Sequence, residues 1–192
     1  MEKIRSFIAI ELPEELKQAL TRLQEELKSS GSLPVRWVEP KNIHLTLKFL
    51  GDIDVAITGK ITVALEETVR GSPPFSIEVS GLGVFPNMNR IQIIWVGLFG
   101  ELEKLGQLQK RIEEALKPLG FPAEGRPFTP HLTLARVRDY ARPDERQKLG
   151  EIISAASFEG KYKINVNTVH LIKSQLTREG PIYSKLGTVT LK

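Results

Sequence analysis

No cysteine occurs anywhere in the 192 residues. That excludes a disulfide scaffold, a thiol nucleophile, an iron–sulfur cluster and any zinc site built on thiolates. Long apolar runs are missing as well. Stretches such as Ile93–Phe99 fall far short of the roughly 18 residues that a membrane span requires. The opening Met1-Glu2-Lys3-Ile4-Arg5 has no apolar signal-peptide core. A cytoplasmic protein without membrane contacts is therefore expected. Strong charge bias is also absent: 27 Lys and Arg against 23 Asp and Glu give +4, with no basic tail. This balance allows an anionic ligand without demanding one, and it argues against an extended nucleic-acid track.

What remains is ordinary globular composition, 41% apolar and 26% charged, at a length that favours one domain spanning residues 1–192. Ile4–Glu11 is rich in strand formers and ends at Pro13. Leu12, Leu16, Leu20, Leu23 and Leu27 then recur at helical spacing. Val35–Val38 and Ile43–Leu50 read as strands, the second stopping at Gly51-Asp52. Asp54 is placed to cap a helix whose inner face carries Ile57, Ile61, Leu65 and Val69. Phe75–Phe85 and Arg90–Leu98 read as a hairpin joined by the turn Pro86–Asn89. Leu102, Leu105, Leu108, Ile112 and Leu116 predict a third helix, and Pro143 opens a fourth through Leu149 and Ile153. His131–Val137, Lys161–Lys173 and Ile182–Leu191 complete the strands. Hairpins mixed with helices between strands predict an α+β fold with largely antiparallel sheets.

One repeat stands out. His44-Leu45-Thr46-Leu47 recurs 87 residues later as His131-Leu132-Thr133-Leu134, in a chain with 3 histidines. At this Leu and Thr content a given histidine is followed by Leu-Thr-Leu on the order of once in a thousand. In a strand, His44 and Thr46 share one face and Leu45 and Leu47 the other. The second copy divides the same way. Two copies on neighbouring strands would set two imidazoles and two hydroxyls around one cleft. Imidazole is the side chain most easily charged or neutral near neutrality, so one can act as general base and the other as general acid. The hydroxyls can donate to phosphoryl oxygens without adding charge. Attack of water on a phosphodiester needs that set. A single histidine in a strand is more often structural, and His170, in Val169-His170-Leu171-Ile172 without the threonine, is read so. Two histidines without acidic or thiolate companions make a poor metal site, so no metal and no cofactor are expected.

These residues resemble the 2H phosphoesterase superfamily, named for two His-x-Ser/Thr motifs. Within it the chain is similar to the RNA 2′,3′-cyclic phosphodiesterases, historically called 2′–5′ RNA ligases. The likeness runs through Phe7–Pro13, Arg36-Trp37-Val38, Asn42–Gly51, Gly83–Pro86, Ile94–Leu98, Arg126–Arg136 and Gly180–Tyr183. It implies a bilobal fold with pseudo-twofold symmetry about a central cleft. It also implies metal-free opening of RNA 2′,3′-cyclic phosphates to 2′-phosphates, with reversible 2′–5′ joining in some members. By likeness His44 is the acid for the leaving 3′-oxygen and His131 the base for water, with Thr46, Thr133 and Arg136 on the substrate. The expected partner is an RNA end, tRNA fragments among the candidates, bound by a monomer. The rivals are a 2H enzyme for small cyclic nucleotides and a non-catalytic RNA-end binder.

Arg136 poses a difficulty, because it has the opposite strand parity to His131 and Thr133. A bulge or the strand's end must turn it. Lys48 shares the parity of His44 and is placed either at the cleft or in solvent. Phe49, Trp37, Phe128 and Trp95 are candidates for base stacking or for the core, and Tyr183 for the cleft border.

Overall fold

The computed structural model describes residues 2–192. In chain order its elements are β1 (Lys3–Ile10), α1 (Glu14–Ser29), β2 (Val35–Trp37), β3 (Leu45–Asp54), α2 (Thr58–Val69), β4 (Phe75–Phe85) and β5 (Ile93–Gly100). They continue with α3 (Leu102–Leu116), β6 (Leu132–Val137), α4 (Pro143–Ala155), β7 (Tyr162–Val166), β8 (Thr168–Thr177) and β9 (Gly180–Thr190). Two sheets form, ordered β3-β1-β8-β9 and β2-β6-β5-β4-β7. Every pairing is antiparallel. The α+β expectation holds.

The helices tie the sheets together. α1 follows a strand of the first sheet, yet its buried Gln24 donates to the carbonyls of Val38 (2.7 Å) and Leu134 (3.2 Å), beside the second. α3 follows a strand of the second sheet, yet it holds Lys48 of β3 through Glu113 at 2.9 Å. α2 lies against β9, where Gly187 admits it closely: a Cβ there would stand 2.5 Å from Thr62 Oγ1. One core cluster consequently runs through both sheets, from Ile8 and Leu45 to Leu132 and Ile164.

Three local expectations are corrected. β3 does not stop at Gly51-Asp52. Gly51 takes a left-handed φ of 70° inside the strand, where the register steps from Phe7↔Phe49 to Ser6↔Gly51, and Ile53 returns to the core opposite Ile4. The β4–β5 connection is longer than Pro86–Asn89, because pairing begins at Phe85↔Ile93. Lys161–Lys173 is two strands. The chain leaves the second sheet after Val166 and enters the first at Thr168, with the Asn167 carbonyl accepting from Leu191 N at 2.9 Å. The two tetrapeptide strands, β3 and β6, belong to different sheets.

Candidate active site

Each histidine stands immediately before its strand, not within it. The two copies are held alike. His44 Nδ1 lies 3.0 Å from the Asn42 carbonyl, and His131 Nδ1 lies 2.7 Å from the Thr129 carbonyl. A carbonyl only accepts, so each Nδ1 carries a hydrogen and donates it. This fixes the tautomer: in the neutral ring Nε2 is a bare acceptor, and in the charged ring it is a donor. No described residue hydrogen-bonds either Nε2. Aromatic edges hold both rings. Phe7 and Tyr183 meet His44 at 6.0 and 5.4 Å between centroids, and Phe85 meets His131 at 4.9 Å, nearly perpendicular.

The strands repeat a second feature. Between β1 and β3 the register runs Ala9↔Thr46 and then Ile8↔Lys48, so Leu47 is extra. Between β5 and β6 it runs Trp95↔Thr133 and then Ile94↔Ala135, so Leu134 is extra. A bulge places two residues opposite one and shifts the alternation by one. Leu47 and Lys48 are both buried, as are Leu134 and Ala135. Phe49 and Arg136, each five residues after its histidine, are thereby turned to the Thr46 and Thr133 face. The parity difficulty of Arg136 is resolved by this bulge. The same bulge corrects Lys48, which reaches neither cleft nor solvent. Its ammonium is buried and donates to Glu113 Oε2 and the Pro122 carbonyl, both at 2.9 Å. Phe49 takes the outward position instead and is 64% exposed, 6.1 Å from Phe7. Trp37 and Phe128 pack against the core, and Trp95 lies over Gly83, where a Cβ would come within 2.2 Å of the indole.

Burial holds both imidazoles below their ordinary range, partly offset by the Asn42 and Thr129 carbonyls. The Arg136 charge lowers His131 further. Arg136 also acts on Tyr183, whose phenol is raised mainly by burial. Since Tyr183 packs on His44, Arg136 connects the surroundings of the two copies. A cavity of about 320 Å³ beside His44 is lined by Lys41, Asn42, Tyr183, Lys185 and Glu11, with Lys185 and Glu11 paired at 2.8 Å. His170 is buried, with Nδ1 2.9 Å from Thr188 Oγ1 and Nε2 3.2 Å from Thr168 Oγ1. Its ring is saturated by the sheet. Phe7 and Phe85 were not legible as site residues. Their sequence trace is that each lies in a stretch carrying the family likeness, Phe7–Pro13 and Gly83–Pro86.

A duplicated His-x-Thr unit with both rings anchored alike through Nδ1, and an arginine whose charge acts on the second of them, is the pattern of the two-histidine phosphoesterases. The family model described as LigT like Phosphoesterase matches residues 10–95 and again 100–183, one tetrapeptide in each match, and the chain belongs to that family. An RNA 2′,3′-cyclic phosphodiesterase of Methanothermobacter thermautotrophicus is 38% identical over 98% of this chain and 100% of its own. One of Thermotoga maritima is 36% identical over 95% and 93%. Among solved structures, TT0787 of Thermus thermophilus superposes with a TM-score of 0.80 at 26% identity, covering 98% of each chain. Escherichia coli LigT complexed with 3′-AMP shares the fold with a TM-score of 0.80 at 23% identity, covering 100% of this chain and 99% of that one. No described helix is long and apolar enough to cross a membrane.

Proposed function

We propose that the chain hydrolyses RNA 2′,3′-cyclic phosphate ends, the activity for which its relatives are named, and that the product is a 2′-phosphate. The observation that carries this reading is the matched pair of imidazoles, each anchored through Nδ1 with Nε2 free. His131 Nε2 takes a proton from water as its oxygen attacks phosphorus. The P–O3′ bond breaks, and His44 Nε2 gives its proton to the departing 3′-oxygen, which leaves the phosphate on the 2′-oxygen. Thr46, Thr133 and Arg136 meet the phosphoryl oxygens, the guanidinium through its paired donors. Neither proton transfer needs a metal. A base of the terminal nucleotide stacks on Phe49, an exposed ring on the Thr46 face. With an RNA 5′-hydroxyl in place of water, the same transfers form a 2′–5′ bond.

The reading extends to one bilobal domain over residues 1–192, with the phosphate in a cleft between the two sheets. It further takes the protein as a cytoplasmic monomer acting on RNA fragments, those of tRNA included. The test is incubation of the protein with an oligonucleotide ending in a 2′,3′-cyclic phosphate. A 2′-phosphate product is expected. A 3′-phosphate product, or binding without turnover, would overturn the reading.

A further inference from the structure

The cross-strand partner of Arg136 on β2 is Arg36. Residues directly opposite in an antiparallel pair project to the same face, with Cα atoms about 5 Å apart. Because the Leu134 bulge sends Arg136 to the Thr133 face, Arg36 stands on that face too. Its neighbours turn the other way: Val35 is in the core, and Trp37 packs against the core beneath Lys28 of α1. Both arginines are exposed. Neither hydrogen-bonds or ion-pairs with any described residue.

Like charges directly opposite one another destabilise a sheet. The three arginines that follow Arg136 in the chain are occupied. Arg138 donates to the Val35 carbonyl and Tyr140, Arg142 pairs with Asp144, and Arg146 donates to the Ala141 and Ile91 carbonyls. Two unneutralised guanidiniums side by side suit a ligand that brings two anionic groups. A nucleoside cyclic phosphate brings one. An RNA end brings a second, on the 5′ side of its last nucleotide.

We propose that Arg36 binds the phosphodiester on the 5′ side of the terminal nucleotide while Arg136 holds the cyclic phosphate, so that the site selects RNA ends over cyclic mononucleotides. This rests on the hydrolase reading above. The fold agrees with the division of labour. β2 is the edge strand of its sheet and only 3 residues long, so a chain passing Arg36 runs straight into solvent. The Arg136 charge acts on His131 and on Tyr183, at the reacting group.

The experiment compares a nucleoside 2′,3′-cyclic phosphate with a dinucleotide ending in the same cyclic nucleotide. A charge-assisted contact to the second phosphate predicts that the wild type prefers the dinucleotide by roughly ten- to a hundredfold in kcat/KM. Arg36→Gln should erase that preference and leave the mononucleotide rate unchanged, and Arg36→Lys should restore part of it. A dinucleotide with an uncharged methylphosphonate linkage should behave toward the wild type as the mononucleotide does. Arg36→Gln lowering both substrates equally, or sparing the dinucleotide, would overturn the inference while the hydrolase reading stood. Wild-type protein that turns over neither substrate would overturn both.

Discussion

Replacing Lys48 with methionine should destabilise the protein by less than replacing Glu113 with leucine, and the structure gives the reason for the order. The two form a buried ion pair, with side chains 3% and 8% exposed. Removing one partner of such a pair costs about 3–5 kcal/mol, because the other charge is left buried. Without Lys48, the Glu113 carboxylate still accepts from Gln109 Nε2 and from Glu124 N, both at 3.1 Å, which places Lys48→Met near ~3 kcal/mol. Without Glu113, the ammonium keeps only the Pro122 carbonyl, and Gln109 and Glu124 N lose their acceptor. Glu113→Leu therefore belongs near ~5 kcal/mol. For a chain of this size each kcal/mol lowers Tm by about 2–4 °C, so the drops should be roughly 6–12 and 10–20 °C. The double variant should cost no more than the worse single, since it leaves no buried charge unpaired. Urea or thermal unfolding of the three variants measures all of this. Additive costs in the double variant, or single costs below ~1 kcal/mol, would refute the reasoning.

Three further expectations follow from the site. Phe49→Ala should leave stability within about 0.5 kcal/mol, as an exposed position, but should lower kcat/KM on RNA ends by the ~1–3 kcal/mol of one base stack. Unchanged kinetics would remove Phe49 from the site. His170→Ala should cost about 1–3 kcal/mol of stability, because it leaves the Thr168 and Thr188 hydroxyls short of a partner. It should spare turnover, and lost turnover in a folded variant would give His170 a chemical role. All three histidines are lowered chiefly by burial, so below the ordinary value of about 6.5 the unfolded chain binds protons first. Stability should be level above that value and fall as pH drops through the folded values. A Tm series between pH 5 and 8 checks the sign, and a Tm rising on acidification would contradict it.

The sequence carries the repeat openly and the bulges hardly at all. His44-Leu45-Thr46-Leu47 and its copy name themselves, because periodicity puts the leucines in the core and the polar pair on the other face. The stripes from Leu12 to Leu27 and from Leu102 to Leu116 likewise become α1 and α3. A bulge has no residue signature of this kind. Strict alternation therefore sends Lys48 outward and turns Arg136 away, and the structure reverses both. The one trace is that Phe49 and Arg136 sit at equal distance from their histidines. Gly51 suggests a strand end because glycine tolerates a left-handed φ, and here the same freedom serves inside β3. The division of Lys161–Lys173 is invisible locally, because Asn167 marks a change of sheet and the partners that decide it lie elsewhere in the chain.

The central claim is that His44 and His131 divide the two proton transfers, one neutral and one protonated. It is tested most directly by the pH dependence of turnover on a cyclic-phosphate-ended oligonucleotide, after exhaustive chelation, for the wild type and for His44→Ala and His131→Ala. The wild type should remain active and give a bell-shaped profile belonging to the coupled pair. The kcat/KM maximum should lie on the acid side of neutrality, since burial lowers both free imidazoles. The kcat maximum should lie at higher pH, where bound phosphate favours the charged ring. Each variant should lose roughly 10²–10⁴-fold and one limb of the bell. Activity abolished by chelation and restored by a divalent metal, or both limbs surviving in either variant, would contradict the account.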